Sequence, residues 1–176
     1  MNSLETLPLH AKTGEYHAVI ETPAASRVKY SYDVKTGLFM AKRVLALGLV
    51  FPFPFGFLPS TRGADGDPLD VLVICDLDLP TGSLILVSLI GVIQIEQEED
   101  GKAVRNDRFI AVPHLNGGER RPQRLEDLGE HWLAQIETFL KTYEQEAGKK
   151  ARIIGRGNGM DAERLVEDQR EKKDKS

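Results

Sequence analysis

The sequence predicts a mainly β domain of the α+β class: a closed barrel of short strands with one long and one short C-terminal helix packed outside it. Three observations predict this. Short apolar or alternating stretches bounded by Gly, Pro and Asp fill the chain as far as "DRFIAVP". Helical spacing of apolar residues then takes over in "RLEDLGEHWLAQIETFLKTYEQEA". Strands first and helices last fit a barrel covered from outside. The 176 residues suit one domain, 1–176, with about 1–14 and 168–176 as loose ends.

Taken in order, "YHAVIE" (residues 16–21) alternates like a strand. "RVKYSYD" and "LFMAKRV" flank "VKTG", a hairpin turn ending in Gly37. "VFPFPFGFLPS" sets Phe51, Phe53, Phe55 and Phe57 at every second position, so their rings share one face of an extended segment. Its prolines exclude a central, fully paired strand. This stripe reads as core packing. "DVLVIC", "SLILVSLIGVIQI" and "DRFIAVP" are further strands, and the acidic "EQEEDGKAVRN" between the last two is a hairpin loop.

In the helical stretch Leu125, Leu128, Trp132, Ile136, Phe139 and Tyr143 form the apolar face, and Gly148 is the C-cap. "KARIIG" is the last strand. "GRGNGM" lacks the phosphate-loop spacing and reads as a turn before a short helix starting near Asp161.

Bulk properties narrow the function. The net charge of -4 argues against a nucleic-acid binder working by bulk electrostatics. No apolar run is long enough to span a bilayer, and the N-terminus lacks a basic region followed by an apolar one. One cysteine, Cys75, excludes an internal disulfide framework, fits a reducing cytoplasm and reads as a small core residue. His10, His17, His114 and His131 show no metal-ligand spacing.

The chemistry concentrates in "RGADGDPLDVLV". Asp65, Asp67 and Asp70 stand at i, i+2 and i+5; Gly66 permits a sharp bend, and Pro68 fixes the chain direction. Converging carboxylates repel by about 4 kcal/mol per close pair at an effective dielectric near 20. A hard divalent cation such as Mg²⁺ relieves that repulsion, as does protonation of one carboxyl. An EF-hand is excluded, because the fifth and sixth positions from Asp65 are Leu69 and Asp70. A solvated Asx-turn ahead of a strand is the other reading. These residues by themselves leave both open, and Lys29 and Arg43 by themselves read as surface charges.

"DGDPLD" resembles the signature of the soluble, Mg²⁺-dependent inorganic pyrophosphatases of the β-barrel type. "VIETPAASRVKY", "KRVLALGLVFPFPFGFLPST", "GSLILVSLIGVIQI", "RFIAVPH" and "AQIETFLKTYE" resemble further segments of that family, in the same order, over roughly residues 16–155. The resemblance implies a closed, OB-like barrel and hydrolysis of inorganic pyrophosphate to two phosphates. It implies Mg²⁺ held by Asp65 and Asp70, with Glu21 nearby, and Asp67 as general base for the attacking water. Lys29, Arg43, Tyr143 and Arg108, the last standing at a family lysine, would hold phosphate oxygens. It also implies a cytoplasmic homo-oligomer, commonly a hexamer, with no nucleic-acid or membrane partner. Thr138 and Thr142 stand where some members carry histidines.

The chain departs from the family pattern at several chemical positions. Ser31 replaces a glutamate, and Phe51 and Phe55 replace tyrosines. Gln97 and Asn106 replace aspartates, and Glu144 replaces a lysine, where it would repel a tetra-anionic substrate. Among nearby acids that would stand in for the missing ligands, Asp107 is the chosen one; Glu96, Glu98 and Glu99 are the others. A second reading follows from these departures: a diverged homologue, weakly active or inactive, that binds another phosphorylated ligand or acts as an assembly module.

Overall fold

The computed structural model describes residues 3–99, 101–115 and 122–170. Among them the strands run β1 (Tyr16–Thr22), β2 (Val28–Asp33), β3 (Leu38–Val44), β4 (Phe55–Leu58), β5 (Leu69–Val73), β6 (Leu84–Glu99), β7 (Lys102–Arg105), β8 (Arg108–Pro113) and β9 (Ala151–Asn158). Helix α1 (Glu130–Glu146) precedes β9, and α2 (Gly159–Asp168) follows it.

The strand order β1-β4-β5-β8-β6 returns on itself, because β1 pairs antiparallel with β4 through Val19↔Phe57 and with β6 through Tyr16↔Val87. Long β6 also carries β7 and β9 on its far half. Strands β2 and β3 form a separate hairpin at the rim, turned through Gly37 at φ 69°. Strands β5 and β8 pair in parallel and are buried on both faces, which accounts for their continuous apolar runs. One face packs Ile20, Val71, Val92 and Phe109 against Ala162 and Val166 of α2. The other packs Leu72, Ile93 and Ile110 against Ile136, Phe139 and Leu140 of α1.

The ring closes tightly at β1–β4. A Cβ added to Gly56 would lie 1.9 Å from the Val19 carbonyl oxygen. Gly56→Ala is therefore expected to lower stability by at least about 3 kcal/mol, the upper end for overpacking, as a urea titration would measure.

Several expectations change on contact with the structure. The helical stretch breaks at Gly129, whose φ of 76° separates a 3₁₀ turn (Leu125–Leu128) from α1. Trp132 lies outside the apolar face at 53% exposure, and Leu133 takes its place in the core. The acidic stretch 96–106 is mostly paired, since Glu96–Glu99 at the end of β6 meets Lys102–Arg105 of β7 as hairpin arms. "GRGNGM" is the end of β9 and the start of α2, with Asn158 and Asp161 forming a capping box. Phe51 and Phe55 pack under α1, whereas Phe57 faces the cleft described below.

Residues 3–10 pack against the body of the domain. Leu9 is 2% exposed, Ser60 donates its Oγ hydrogen to the Leu7 carbonyl, and His10 meets Glu167 at 2.6 Å. At the other end, Arg170 bridges Thr61, and residues 171–176 lie outside the described residues. Cys75 is half-buried against the core instead of fully inside it.

Candidate active site

A cleft of about 520 Å³ opens where the rim hairpin leans over the mouth of the ring. Its walls draw on β1 (Glu21), β2 (Lys29, Ser31), β3 (Lys42, Arg43), the 63–68 turn (Asp65, Asp67), β5 (Asp70), the start of β8 (Arg108) and α1 (Tyr143, Glu144), among others.

The aspartates sit in a tight turn. Asp65 Oδ1 accepts from the Asp67 N–H at 3.2 Å, and the Asp67 carbonyl accepts from the Gly63 N–H at 2.8 Å. Gly66, at φ 89°, makes the bend. Asp70 belongs to β5, fixed opposite Phe57. The structure thus brings Asp65, Asp67 and Asp70 into one cleft with Glu21, Lys29, Arg43, Arg108 and Tyr143.

Burial, then the charges of Asp65 and Asp70, pushes the Asp67 carboxyl above its ordinary pKa, while Lys149 and Arg62 pull it back. Glu21 is raised as well, chiefly by burial, against the pull of Lys29 and of the Tyr32 N–H it accepts at 2.7 Å. Lys29 Nζ lies 3.5 Å from Glu21 and 4.2 Å from the centre of the Phe55 ring, a cation–π contact that the phenylalanine preserves. The Arg43 guanidinium lies 4.4 Å from the Tyr143 ring centre and donates to the Tyr143 carbonyl.

Arg108 is held differently from the cations at the rim. It is 3% exposed, with Nη1 2.9 Å from Asp70 Oδ2 and Nη2 2.6 Å from Glu144 Oε1. Burial works against its charge, yet Asp70 and Glu144 together hold its pKa above the ordinary arginine value. Glu144, 2% exposed, is neutralised by this pair instead of facing the cleft as a bare negative charge. Glu144 and Arg108 therefore form one compensated unit.

Asp107 is not brought into the cleft. Its carboxylate accepts from the Ile95 N–H at 3.0 Å and is clasped by Arg105 at 2.8–3.1 Å. Successive side chains of an extended segment point to opposite sides. Asn106 and Arg108 line the cleft and Asp107 does not; with Asp65, Asp70 and Asn106 it lines a smaller hollow of about 20 Å³ beside it. Gln97 Oε1 accepts from Asn106 Nδ2 and from Lys149 Nζ, each at 3.2 Å. Sequence reasoning missed Lys149, Lys42 and Glu5 as cleft residues. For Lys149 a signal existed, since it directly follows the helix-capping Gly148.

Among the described residues, no three acidic, histidine or cysteine side chains form a ready-made metal cluster. Asp65, Asp67 and Asp70 are an open set of hard oxygen donors. Their mutual repulsion at Asp67 is what a divalent cation relieves, so the donor chemistry fits such an ion. A raised pKa in the folded state means that deprotonation of Asp67 works against folding. Its stabilising contribution is complete below 3.8 and is lost as pH rises through the higher folded value. Metal-free Asp67→Asn is accordingly expected to melt above wild type at pH 7, with the gap shrinking toward pH 3.8, in paired thermal melts.

Carboxylates and cations interleave in one cleft at the mouth of a β-barrel, the kind of lining that metal-assisted phosphoryl transfer uses. Comparison with known proteins makes this specific. The family model for inorganic pyrophosphatase matches residues 18–174. The inorganic pyrophosphatase of Leifsonia xyli is 38% identical over 153 residues, 86% of this chain and 91% of that protein. That of Sulfolobus acidocaldarius is 34% identical over 154 residues, 86% and 87% of the two chains. The crystal structure of inorganic pyrophosphatase from Thermus thermophilus superposes with a TM-score of 0.84 at 31% identity, covering 96% of this chain and 97% of that one. The chain belongs to the inorganic pyrophosphatase family.

Proposed function

We propose that this chain hydrolyses inorganic pyrophosphate to two phosphates in the cleft between the aspartate turn and the β2–β3 hairpin. Family membership over nearly the whole chain supports the reaction. The single observation that carries the site is the meeting of Asp65, Asp67 and Asp70 with Lys29, Arg43 and Tyr143 in one cleft. The family implies a divalent metal cofactor; Mg²⁺ is the ion proposed, with Asp65 and Asp70 as its ligands and Glu21 beside it. Such an ion, when bound, supplies a water acidic enough to deprotonate near neutral pH.

Asp67 takes the proton from the attacking water. Its carboxylate accepts no hydrogen bond among the described residues, which leaves it open to take a proton. Water adds to one phosphorus, the bridging P–O bond breaks, and two phosphates leave. Lys29, Arg43 and the Tyr143 hydroxyl bind and orient the phosphate oxygens. Arg108 holds Asp70 in place instead of reaching for phosphate, since Asp70 and Glu144 engage its guanidinium.

A cytoplasmic setting is proposed from the lone cysteine; no helix of the described residues is long and apolar enough to cross a membrane. A homo-oligomer, a hexamer by family resemblance, is supported by the exposed apolar side chains Leu38, Met40, Val44 and Leu47 on and after the rim hairpin. The reading is tested by phosphate release from pyrophosphate with Mg²⁺ and with chelator. Release that needs the metal supports it, and no release at any metal concentration contradicts it.

A further inference from the structure

The Gln97–Asn106 corner of the cleft adjoins the aspartates through Arg108, which meets both Asp70 and Asn106, but is arranged differently from them. Gln97 is 1% exposed and backs Asn106, which lines the wall. Gln97 Oε1 accepts from Asn106 Nδ2 and Lys149 Nζ, and Asn106 Oδ1 accepts from Arg108 Nη1. Both amide oxygens at this corner are engaged by protein donors, and two of those donors are cationic. Neutral oxygens already facing an ammonium and a guanidinium make poor ligands for a divalent ion, whose charge those groups repel. A phosphate group meets the opposite condition.

Two cations stand here, and they are not equivalent. Arg108 is engaged by Asp70 and Glu144. Lys149 has a neutral amide as its partner and lines the same cleft as Asp65, Asp67, Lys29 and Arg43. Its backbone is held firmly. Helix α1 ends in a Schellman arrangement: the Gly148 N–H donates to the Gln145 carbonyl at 2.9 Å, and the Lys149 N–H donates to the Glu144 carbonyl at 3.0 Å. Gly148 at φ 75° turns the chain so that Lys149 enters the cleft. The residue that anchors Arg108 by its side chain thus anchors Lys149 by its carbonyl.

We propose that Lys149 is a phosphate-binding residue, its ammonium holding directly the phosphate group at the Gln97–Asn106 corner of the cleft, where the side chains take no divalent ion. The inference rests on the pyrophosphatase reading and assigns the second phosphate a protein cation, while Lys29 and Arg43 serve the first.

The test is calorimetric titration of methylenediphosphonate, a non-hydrolysable pyrophosphate analogue, into the full chain at saturating Mg²⁺. Lys149→Gln is expected to weaken binding by about tenfold to a hundredfold, the range of a charge-assisted hydrogen bond. Lys149→Arg keeps binding within about threefold. A parallel Mn²⁺ titration without the diphosphonate gives equal stoichiometry for wild type and both variants. Lys149→Met, should the glutamine variant not fold, must show the same loss. Diphosphonate affinity of Lys149→Gln within about twofold of wild type overturns the proposal, as does loss of an Mn²⁺ site in that variant, which marks a merely structural lysine. A wild-type chain that neither binds the diphosphonate nor releases phosphate overturns the pyrophosphatase reading instead.

Discussion

Glu144→Gln is expected to destabilise the protein by about 3–5 kcal/mol, the cost of removing one partner from a buried ion pair. At roughly 2–4 °C per kcal/mol for a chain of this size, the melting midpoint falls by about 6–20 °C. Glu144 and Arg108 are 2% and 3% exposed and meet at 2.6 Å. With glutamine, Arg108 keeps Asp70 alone, and Asp70 must then serve both a buried guanidinium and the cleft. Arg108→Gln leaves Glu144 buried without its cation and is expected to cost as much. The double variant Arg108→Gln/Glu144→Gln is expected to cost less than the two single losses together, because the charges disappear as a pair. Thermal melts of the four chains at pH 7 measure this. A single-variant loss below about 1 kcal/mol would contradict the pairing.

That pair also shows where the sequence stops being informative. Glu144 reads, through the family resemblance, as a charge reversal beside a phosphate site. Its meaning depends on Arg108, 36 positions away, and nothing local to either residue announces the partnership. Features written in short-range chemistry were legible: the Gly37 hairpin, the Gly148 cap, the Gly66–Pro68 turn and the strands of the ring. The convergence of the three aspartates with Lys29, Arg43 and Tyr143 was legible only through resemblance, since segments far apart in the chain supply the cleft.

Other elements were misread because tertiary packing overrode a local pattern. Residues 3–10 have no strong periodicity, yet Leu9 is drawn into the core and His10 onto Glu167. Glycines in "GRGNGM" imitate a turn, but Gly157 and Gly159 sit where a Cβ would press on Val92 and on the Leu89 carbonyl, so they permit close packing. Asp107 reads as a replacement ligand by its charge, yet the Ile95 N–H and Arg105 hold its carboxylate outside the main cleft.

Asp67→Asn carries the largest expected effect on activity. A positioned general base contributes about 10²–10⁴ in rate, and asparagine keeps the shape of the side chain while removing its basicity. The turn survives the change, because the Asp67 backbone makes its hydrogen bonds: its N–H donates to Asp65 Oδ1, and its carbonyl accepts from Gly63. Metal-free stability is expected to rise, as argued from the raised pKa, so lost activity cannot be assigned to lost fold. Gain of stability with loss of rate in one substitution is the signature of a group strained toward its function.

The central claim is that the Asp65–Asp67–Asp70 turn still cleaves pyrophosphate despite Ser31, Phe51, Phe55, Gln97, Asn106 and Glu144. Its most direct test is the initial rate of phosphate release from pyrophosphate across a Mg²⁺ series, wild type against Asp67→Asn. The account predicts metal-dependent release by wild type that exceeds the variant by about 100-fold or more. Equal rates for the two chains at every Mg²⁺ concentration would contradict it.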